Sequence, residues 1–389
     1  MRKCGIICEY NPLHNGHVYQ MQAAKAASNC DALICVMSGN FVQRGEGAIL
    51  NKFERAKHAI LAGADVVVEL PAVFAINSAQ DFAFGAVRIL DALGCDFLHF
   101  GSEDGNIDNL TAFADFLAQP TEEFTKILKL NLDKGLSYPA AVSNAADKYF
   151  PDNVLKSPNN ALAIEYIKAI KTLNSKMIPL TIKRENSYNG TELTKPFSSA
   201  TAIRTAFYCG NKINDNVPDY MLKSLTEQAH FDNEKLNEFR HAYFSGLTPA
   251  VLKDILGVEE GLENRFVKYS GEASFAQMLE KVKSKRYTLL KLKRISVNAV
   301  LGITKDTMQV AKQTKPYYRI LAIEESRLDI LNNFSKCKNI TPISGLSPEQ
   351  KEIYESDIRA TNLYSSLQKQ KGNTDYTLPL QKVKREQTR

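Results

Sequence analysis

The most informative segment of this chain is Cys4-Gly5-Ile6-Ile7-Cys8-Glu9-Tyr10-Asn11-Pro12-Leu13-His14-Asn15-Gly16-His17. Its first five residues are compact and apolar, which is typical of a buried parallel strand. A Pro-containing turn and two histidines follow, and a helical pattern begins at His17. A strand that leads into a helix in this way brings backbone N–H groups and two imidazoles to one point where a phosphate can bind. The segment therefore predicts chemistry on the phosphates of a nucleotide.

Short apolar runs and helical patterns alternate from the N-terminus to about residue 185. The apolar runs predict strands over Gly5–Cys8, Ala32–Met37, Asp65–Leu70, Asp96–Phe100 and Met177–Ile182. Apolar residues at helical spacing predict helices over His17–Ala27, Lys52–Ala62, Ala79–Leu93 and Ala161–Leu173. This alternation is typical of a doubly wound parallel sheet, so we assign residues 1–205 to a Rossmann-like α/β domain.

The second half of the chain has a different pattern. Beyond about residue 205 the sequence contains no convincing strand, and residues 206–389 are predicted to form a mostly helical, basic region. The segment from Gln368 to Arg389 is polar and basic, and we expect it to fray. Two domains are therefore predicted, with a boundary near residue 205.

Composition excludes several classes of protein. Hydrophobic residues make up 44% of the 389 positions, and no apolar stretch approaches the ~20 residues that span a bilayer. The seven cysteines are scattered without metal-ligand spacing, which favours a reduced, cytoplasmic protein and predicts no metal-ligand set. A net charge of +6 is too small to indicate a nucleic-acid partner by itself. Neither a membrane nor DNA is an expected partner.

The tetrapeptide His14-Asn15-Gly16-His17 matches the HxGH signature of the nucleotidyltransferase and class I synthetase superfamily. In-line attack on an α-phosphate builds negative charge on its oxygens, and imidazoles at a helix N-terminus can donate hydrogen bonds to that charge without acting as strong bases. His14 and His17 are therefore the predicted catalytic residues. The alternative is that both are ordinary polar residues at the start of a helix.

A later segment, Ser198-Ser199-Ala200-Thr201-Ala202-Ile203-Arg204, resembles the phosphate-binding ISSTxxR segment of the same superfamily. Hydroxyls and free N–H groups at a helix start, with an arginine one turn later, suit a triphosphate tail. Ser198, Ser199, Thr201 and Arg204 are therefore predicted to bind ATP. Taken alone, the segment favours an ordinary Ser/Thr helix cap.

Further positions are candidates for contact with the nucleotide. Gly101 ends a predicted strand, where its backbone could lie against adenine. Asn159 and Asn160 open a predicted helix, and they either cap that helix or bind the base. Arg184 follows the last predicted strand and could stack on or pair with the nucleotide.

Other polar segments have a less specific interpretation. The loop from Met37 to Glu46 contains two glycines and either closes over a small substrate or is a surface connection. The carboxylates of Asp65, Glu69 and Asp81 are interpreted as satisfied polar groups rather than as catalytic acids.

Residues 281–305 contain eight Lys or Arg and no acidic residue. Their spacing among apolar residues predicts a basic helix with one apolar face, which suits the phosphate backbone of a nucleic acid. The alternative is a solvated helix face. The predicted nucleic-acid-binding residues are Lys281, Lys283, Lys285, Arg286, Lys291, Lys293 and Arg294.

Five segments together resemble the bacterial tRNA(Met) cytidine acetate ligases, from the N-terminus to about residue 325. They are Gly5–His17, Met37–Glu46, Phe100–Glu103, Glu260–Arg265 and Ser284–Thr288. The resemblance implies an HxGH nucleotidyltransferase fold for the first domain. It implies that ATP, with Mg²⁺ expected, activates acetate as acetyl-adenylate. It further implies transfer of the acetyl group to N4 of the wobble cytidine of elongator tRNA(Met), giving N4-acetylcytidine, and assigns the basic residues to tRNA binding.

The resemblance also implies the residues of the ATP site. Gly101, Asn159 or Asn160, and Arg184 complete a cradle formed by the stretch from residue 7 to residue 20. That stretch consists of Ile7, Cys8, Glu9, Tyr10, Asn11, Pro12, Leu13, His14, Asn15, Gly16, His17, Val18, Tyr19 and Gln20.

Two other functions stay open on the sequence alone. The first is a nucleotidyltransferase that adenylylates or cytidylylates a small phosphorylated metabolite, with the basic residues only solvated. The second is an RNA-binding protein that depends on a nucleotide but does not catalyse a reaction.

Overall fold

A seven-stranded sheet organises the fold in the computed structural model, which describes residues 1–150, 154–184, 193 and 197–385. The strands of this sheet are β1 (Lys3–Cys8), β2 (Ala32–Ser38), β5 (Val66–Leu70), β6 (Phe97–Ser102), β7 (Ile178–Lys183), β9 (Ile320–Glu324) and β11 (Gln381–Val383). Their order in space is β11-β9-β5-β2-β1-β6-β7. Two small sheets pair β3 (Phe41–Val42) with β4 (Glu46–Gly47) and β8 (Tyr317–Tyr318) with β10 (Thr341–Pro342).

Helices connect the strands and form most of the C-terminal half. In the first half they are α1 (Asn15–Ser28), α2 (Lys52–Ala62), α3 (Ala72–Ala75), α4 (Ala79–Ala92), α5 (Ile107–Ala118), α6 (Glu122–Asp133), α7 (Tyr138–Ala146) and α8 (Pro158–Thr172). In the second half they are α9 (Ala200–Tyr208), α10 (Asp219–Glu227), α11 (Asn233–Ser245), α12 (Pro249–Lys253), α13 (Leu262–Tyr269), α14 (Phe275–Val282), α15 (Leu289–Leu301), α16 (Lys305–Gln313), α17 (Asp329–Phe334), α18 (Pro348–Leu367) and α19 (Thr374–Thr377). Short 3₁₀ turns lie at Val154–Lys156, Glu325–Arg327 and Ile343–Gly345.

The predicted parallel α/β arrangement is confirmed. Each of the five predicted strands lies within two residues of an observed one, and the pairs β1–β2, β1–β6, β2–β5 and β6–β7 are all parallel. The four predicted helices correspond to α1, α2, α4 and α8. Helices α5, α6 and α7 between β6 and β7 were not predicted. The mostly helical character of the second half is also confirmed.

The expectation of no strand after about residue 205 is wrong. Strand β9 pairs antiparallel with β5, and β11 pairs parallel with β9 at the edge of the sheet. Strand β11 also lies in the segment that was expected to fray. Strand β11, with three residues, is too short for a periodic pattern, and the pairing of both strands depends on contacts with strands far away in the sequence. Because the sheet takes strands from both sides of residue 205, the domain boundary there stays a prediction.

The central strands of the main sheet are buried on both faces. In β2, Ile34 and Val36 pack into one core cluster while Leu33 and Cys35 pack into another, and all four side chains are fully buried. This alternation explains why β2 has the uninterrupted apolar sequence of a central parallel strand. A third cluster, which includes Phe244 in α11, joins helices α11 to α15. Within the described ranges, no helix has the length and apolar character needed to cross a membrane.

Candidate active site

A cleft lies at the carboxyl ends of β1, β6 and β7, where ligands bind in open parallel sheets. The space inside it, including its opening to solvent, is about 1110 Å³. The walls come from the segment after β1, the loop between β2 and α2, and the N-terminal turns of α4, α8 and α9. The lining residues are Ile7, Cys8, Glu9, Tyr10, Asn11, His14, His17, Gln20, Val42, Gln43, Arg44, Phe82, Phe100, Gly101, Asn159, Leu162, Tyr166, Arg184, Ser199, Ala200, Thr201 and Arg204.

The two histidines of the HxGH tetrapeptide form a stacked pair at the start of α1. Their ring centroids lie 3.6 Å apart with an angle of 24° between the planes. The backbone N–H of His14 donates to Nδ1 of His17 at 3.2 Å. Because Nδ1 of His17 accepts this hydrogen bond, the proton of the neutral ring lies on Nε2. His17 therefore has an N–H donor available for a ligand in the cleft.

Both imidazoles are neutral at physiological pH. Burial lowers the pKa of His14 to about 3, and the charge of Arg184 contributes in the same direction. Burial lowers the pKa of His17 well below its ordinary value, with further contributions from His14 and Arg184. A neutral imidazole can donate a hydrogen bond to a phosphate oxygen while adding no positive charge of its own. The histidines are therefore suited to hydrogen bonding rather than to proton transfer as imidazolium ions.

Arg184 lies beside this pair and over Gly101. Its backbone N–H donates to the carbonyl of Ser102 at 2.8 Å, which continues the β6–β7 pairing. A Cβ added at Gly101 would lie 3.2 Å from Cγ of Arg184. Gly101 thus leaves room for the Arg184 side chain and also lines the cleft, so contact of its backbone with adenine stays a prediction.

The N-terminus of α9 forms another wall of the cleft. Oγ of Ser199 caps the helix by accepting from the N–H of Ala202 at 3.1 Å, and the buried hydroxyl of Ser198 accepts from Asn216 at 2.9 Å. Arg204 donates to the carbonyl of Asn11 and to the hydroxyl of Thr201. Since these acceptors are uncharged, the positive charge of Arg204 is available to an anionic ligand.

The two asparagines of α8 have different environments. Asn159 lines the cleft, and its Nδ2 donates to Oε1 of Glu103 at 2.7 Å. Oδ1 of the buried Asn160 accepts from the backbone N–H groups of Glu103 and Asp104 at 2.9 and 3.0 Å. Asn159 is therefore placed for ligand contact, while Asn160 holds the turn that follows β6.

A second cavity of about 590 Å³ adjoins the cleft beside Gly16. The rings of Tyr19 and Phe197 stack there with centroids 5.4 Å apart. The lining residues are His14, Gly16, Tyr19, Gln20, Gly101, Ile182, Lys183, Arg184, Phe197, Ser198 and Ser199. This cavity offers aromatic and backbone surfaces on which a flat ring can lie.

Several residues of the predicted ATP-binding stretch line neither cavity. Pro12 and Leu13 are buried, and Val18 packs against the core under α1. Nδ2 of Asn15 donates to the carbonyl of Asp215 at 2.9 Å. These four residues fix the turn that presents the histidines, rather than facing a ligand themselves.

The loop between β2 and α2 lines the cleft through Val42, Gln43 and Arg44, so it is more than a surface connection. The fully buried Arg55 holds this loop in place. Its guanidinium donates to the carbonyls of Leu50 at 3.0 Å and Ser38 at 3.2 Å. Because one arginine bonds to several carbonyls, the loop has a fixed position beside the end of β1.

A buried charge cluster lies beneath the same loop. Nζ of Lys52 lies 2.7 Å from carboxylate oxygens of both Glu69 and Asp375, and Arg319 also pairs with Asp375. The interpretation of Glu69 as a satisfied polar group is confirmed. Asp375 belongs to α19, so the C-terminal segment helps to hold the active-site loop.

Sequence reasoning missed the apolar wall of the cleft. Phe82 extends from α4, and Leu162 and Tyr166 extend from α8. All three residues fit the apolar face of an amphipathic helix, so nothing in the sequence separates them from core residues. For Phe82 and Leu162, the available signal is their position near the N-termini of helices that begin at the carboxyl edge of the sheet. Tyr166 lies in the middle of α8 and has no such signal.

The prediction of a single basic helix is wrong. Lys281 lies in α14, a turn follows, and α15 begins at Leu289. Oγ of Ser284 accepts from the N–H of Tyr287 at 3.2 Å, and Oγ1 of Thr288 accepts from that of Lys291 at 3.3 Å. Such local hydroxyl-to-backbone bonds compete with continuous helix.

Four of the seven predicted cations pair with carboxylates that lie outside residues 281–305. The pairs are Lys283–Glu280 at 3.4 Å, Arg286–Glu260 at 2.7 Å, Lys291–Glu259 at 3.2 Å and Lys293–Glu46 at 2.7 Å. Lys281 and Lys285 are exposed and make no ion pair with any described residue, and Arg294 is partly buried. The positive charge of the segment is therefore concentrated at fewer positions than the sequence indicated.

A polar groove joins the cleft to this basic segment. It shares Thr201 and Arg204 with the cleft and reaches Lys293 of α15. Tyr208, more than half exposed, also lines the groove. Among the described residues, no group of three or more His, Cys, Asp or Glu side chains is arranged to hold a metal ion.

The fold and the stacked histidines at the first strand–helix junction define a HIGH nucleotidyl transferase. A sequence model of the HIGH Nucleotidyl Transferase family matches residues 1–377, and the chain belongs to that family.

Within it, the chain belongs to the tRNA(Met) cytidine acetate ligase family. It is 42% identical over 378 residues to the tRNA(Met) cytidine acetate ligase of Caldicellulosiruptor bescii, covering 94% of each chain. It is 39% identical over 398 residues to that of Clostridium perfringens, covering 97% of this chain and 98% of the relative. The crystal structure of Thermotoga maritima TmcAL bound with alpha-thio ATP matches with a TM-score of 0.90 and 32% identity, over 99% of this chain and 100% of that one. The resemblance seen in the sequence is confirmed.

Proposed function

We propose that this protein is a tRNA(Met) cytidine acetate ligase. It uses ATP to activate acetate as acetyl-adenylate and transfers the acetyl group to N4 of the wobble cytidine of elongator tRNA(Met), giving N4-acetylcytidine. The observation that carries the proposal is the neutral, stacked pair of His14 and His17 at the N-terminus of α1, in a chain of this family. The transfer serves a tRNA, so the expected location is the cytoplasm.

The first half-reaction joins acetate to the α-phosphate and releases pyrophosphate. Negative charge then increases on the α-phosphate oxygens and on the leaving pyrophosphate. His14 and His17 donate hydrogen bonds to this charge, while Arg204 and the N-terminus of α9 hold the β- and γ-phosphates. Arg184, which lines the cleft close to the histidine pair, completes the set.

The second cavity is the proposed site of the adenosine. Its walls at Gly16, Tyr19 and Phe197 are flat or aromatic, and it opens into the cleft at His14. When the base of a nucleotide lies in this cavity, its phosphates therefore lie beside the histidine pair. TmcAL of Thermotoga maritima, which shares the fold, has been crystallised with alpha-thio ATP, and this supports nucleotide binding.

Mg²⁺ is expected to accompany the nucleotide and to neutralise phosphate charge when bound. Among the described residues that line the cleft, Glu9 is the one carboxylate. Mg²⁺ is commonly held by substrate phosphates and water with few protein ligands, and the cleft fits a metal carried by the nucleotide in this way.

The second half-reaction requires the target base to reach the same cleft. Sequence-specific recognition of RNA usually involves unstacked bases in loops, and an anticodon base can be turned out of its stack. The groove from Arg204 to Lys293 gives the flanking nucleotides a path toward α15, with Tyr208 as a stacking surface. The exposed Lys281 and Lys285 then contact the tRNA backbone.

The proposal is tested with purified protein, ATP, Mg²⁺, acetate and unmodified elongator tRNA(Met). We expect acetate-dependent exchange of pyrophosphate into ATP without tRNA, and N4-acetylcytidine in the tRNA by nucleoside mass spectrometry. Initiator tRNA serves as a matched control substrate.

Each alternative function has its own outcome in the same assay. Pyrophosphate release that needs neither acetate nor tRNA would indicate a nucleotidyltransferase for a small metabolite. Tight binding of tRNA without any ATP turnover would indicate an RNA-binding protein, and either result contradicts the proposal.

A further inference from the structure

The contacts proposed above for ATP and acetate do not use the carboxylate of Glu9, although Glu9 lies in the predicted ATP-binding stretch. It follows β1 directly and lies partly open to the cleft, beside the segment that carries the histidines. No other Asp or Glu lines the cleft in the described part of the chain. Since both substrates of the first half-reaction are anions, a negative charge here suits a later step better.

The position of Glu9 is fixed from two sides. Its Oε1 accepts from the backbone N–H of Gln43 at 2.7 Å. Its carbonyl oxygen accepts from the buried guanidinium of Arg55 at 2.5 Å. One carboxylate oxygen is therefore used to hold the group, and Oε2 makes no hydrogen bond to a described residue. A carboxylate held in this way is preorganised to accept a proton from a bound substrate.

The surroundings of Glu9 make it a better proton acceptor than an exposed glutamate. Burial raises its pKa, and this effect exceeds the opposing effects of the Gln43 N–H and of the cations Arg55, Arg204 and Arg44. Tyr166 faces the same space, and its own pKa is raised by burial and by the charge of Glu9. Raised basicity matters because a general base works best when its pKa approaches the working pH.

Gln43 lines the same cleft as Glu9, and its backbone N–H binds the Glu9 carboxylate. Its buried side-chain Nε2 makes no hydrogen bond to a described residue. Cytosine presents an N4 amino donor beside the N3 acceptor on its Watson–Crick edge, and Glu or Asp side chains commonly accept from N4. A carboxylate and an amide donor in one wall of the cleft therefore suit the reacting edge of cytosine.

We infer that Glu9 is the general base of acetyl transfer, and that Gln43 holds the ring of the target cytosine. This inference rests on the proposed function. The N4 nitrogen attacks the carbonyl carbon of acetyl-adenylate and forms the new N–C bond. The bond from that carbon to the phosphate oxygen breaks, AMP leaves with the electron pair, and the N4 proton moves to the Glu9 carboxylate. No oxidant, reductant or further reactant is needed.

The decisive experiment compares the two half-reactions in the Glu9→Gln variant of the full-length protein. Glutamine keeps the acceptor for the Gln43 N–H but cannot take a proton. We expect acetate-dependent ATP–pyrophosphate exchange within about twofold of the wild type, and single-turnover acetyl transfer slowed by about 10²–10⁴-fold. The wild-type transfer rate should rise with pH through the raised pKa of Glu9, and E9Q should lose this rise.

Matched variants separate catalysis from a structural effect. Glu165→Gln, one residue from Tyr166 but outside the cleft, should leave both half-reactions unchanged. Gln43→Leu should raise the KM for tRNA with little change in exchange. If E9Q folds poorly by circular dichroism, Glu9→Asp provides the second measurement, and it should keep the pH-dependent rise with a lower rate.

Three results are informative in different ways. Acetyl transfer by folded E9Q at the wild-type rate overturns the inference. Equal loss of exchange and transfer also overturns it, because Glu9 would then serve the nucleotide or its metal. A wild-type protein that shows neither half-reaction contradicts the proposed function itself, before Glu9 is tested.

Discussion

The histidine cleft and the basic segment at residues 281–294 both carry groups that can bind phosphate, but these groups have different hydrogen-bond and ion-pair partners. In the cleft, His14 and His17 are neutral, and Arg204 bonds to uncharged oxygens. In the basic segment, four cations already pair with carboxylates such as Glu46 and Glu260. The cleft therefore presents unused hydrogen-bonding capacity to a ligand, while much of the basic segment is already neutralised.

This difference shows that a cation's position in the sequence does not define its availability. The absence of acids within residues 281–305 suggested a strongly positive surface, but the pairing acids come from other parts of the chain. The cleft contains fewer cations than the basic segment, yet its residues are better placed to act on a ligand. We therefore expect substitutions in the cleft to abolish chemistry, and substitutions in the basic segment to adjust tRNA affinity.

The largest effect is expected for His17→Ala. Loss of a preorganised donor to the transition state should lower acetate-dependent ATP–pyrophosphate exchange by about 10²–10³-fold. His241→Ala, which removes a histidine from α11 outside the cleft, should leave exchange within about twofold of the wild type. Near-wild-type exchange by H17A would show that the histidine cleft does not provide the catalytic contribution that distinguishes it from the basic segment.

The next prediction concerns the loss of folding free energy at low pH through buried histidines. His14, His58 and His99 have pKa values of about 3, 4 and 4, because each is buried. Below about pH 6.5 these histidines take up protons in the unfolded chain but not in the folded protein. The free energy of unfolding therefore has its full value above that pH and decreases as the pH falls toward 4. Each histidine should contribute a slope of about 1.4 kcal/mol per pH unit in this window.

The measurement is the free energy of unfolding by urea at pH 7.5, 6.5 and 5.5, for the wild type and for His58→Gln. Glutamine can still bond to Ser224, which lies 2.8 Å from Nε2 of His58. The variant should show a shallower loss of stability below pH 6.5. Parallel curves for the two proteins would contradict the assignment of His58 as a buried neutral group.

A smaller effect is expected for Lys285→Ala in the basic segment. Lys285 is exposed and makes no ion pair with a described residue, so it can contact an RNA phosphate directly. Its loss should weaken tRNA binding several-fold and reduce the slope of log affinity against log salt by about 0.7–0.9. Filter binding over a salt series gives both quantities, and ATP–pyrophosphate exchange should not change. An unchanged slope would indicate that this face does not contact RNA.

The smallest and most specific effect is expected for Glu260→Gln. This change releases Arg286 from its ion pair, which is 2.7 Å long and about half exposed. Affinity for tRNA should rise by about twofold to fivefold, since an exposed pair contributes at most about 1 kcal/mol. Glu263→Gln is the matched control, because Glu263 bonds to Asn264 rather than to a cation. Equal affinities for E260Q and E263Q would show that the pairing does not limit RNA binding.

Much of the first half of the fold could be predicted from the sequence, because its signals are local. Strands such as β2 and β5 are predominantly apolar, and the helices that follow have clear amphipathic spacing. Strands β9 and β11 could not be predicted in this way. Each becomes a strand only because a partner strand offers free backbone groups.

The residues of the candidate site also differ in whether local sequence signals could identify them. His14, His17, Ser199 and Arg204, which line the cleft, could be singled out from the sequence because each pair lies next to a helix N-terminus in the chain. The apolar wall at Phe82 and Tyr166 was missed because these residues reach the cleft only in the folded chain. Asn159 and Asn160 were equivalent in sequence, and only their hydrogen bonds distinguish them.

Local sequence signals are enough to predict the parallel α/β class, the strand–turn–helix that carries the histidines, and the resemblance to one enzyme family. These features depend on residues close together in the chain, where periodicity and helix-terminus chemistry act locally. Tertiary contacts are needed to establish which cations are paired, which carboxylate faces the cleft, and how the C-terminal segment holds the active-site loop through Asp375. Burial and ion pairing depend on distances between residues that are far apart in sequence, and only the folded chain sets those distances.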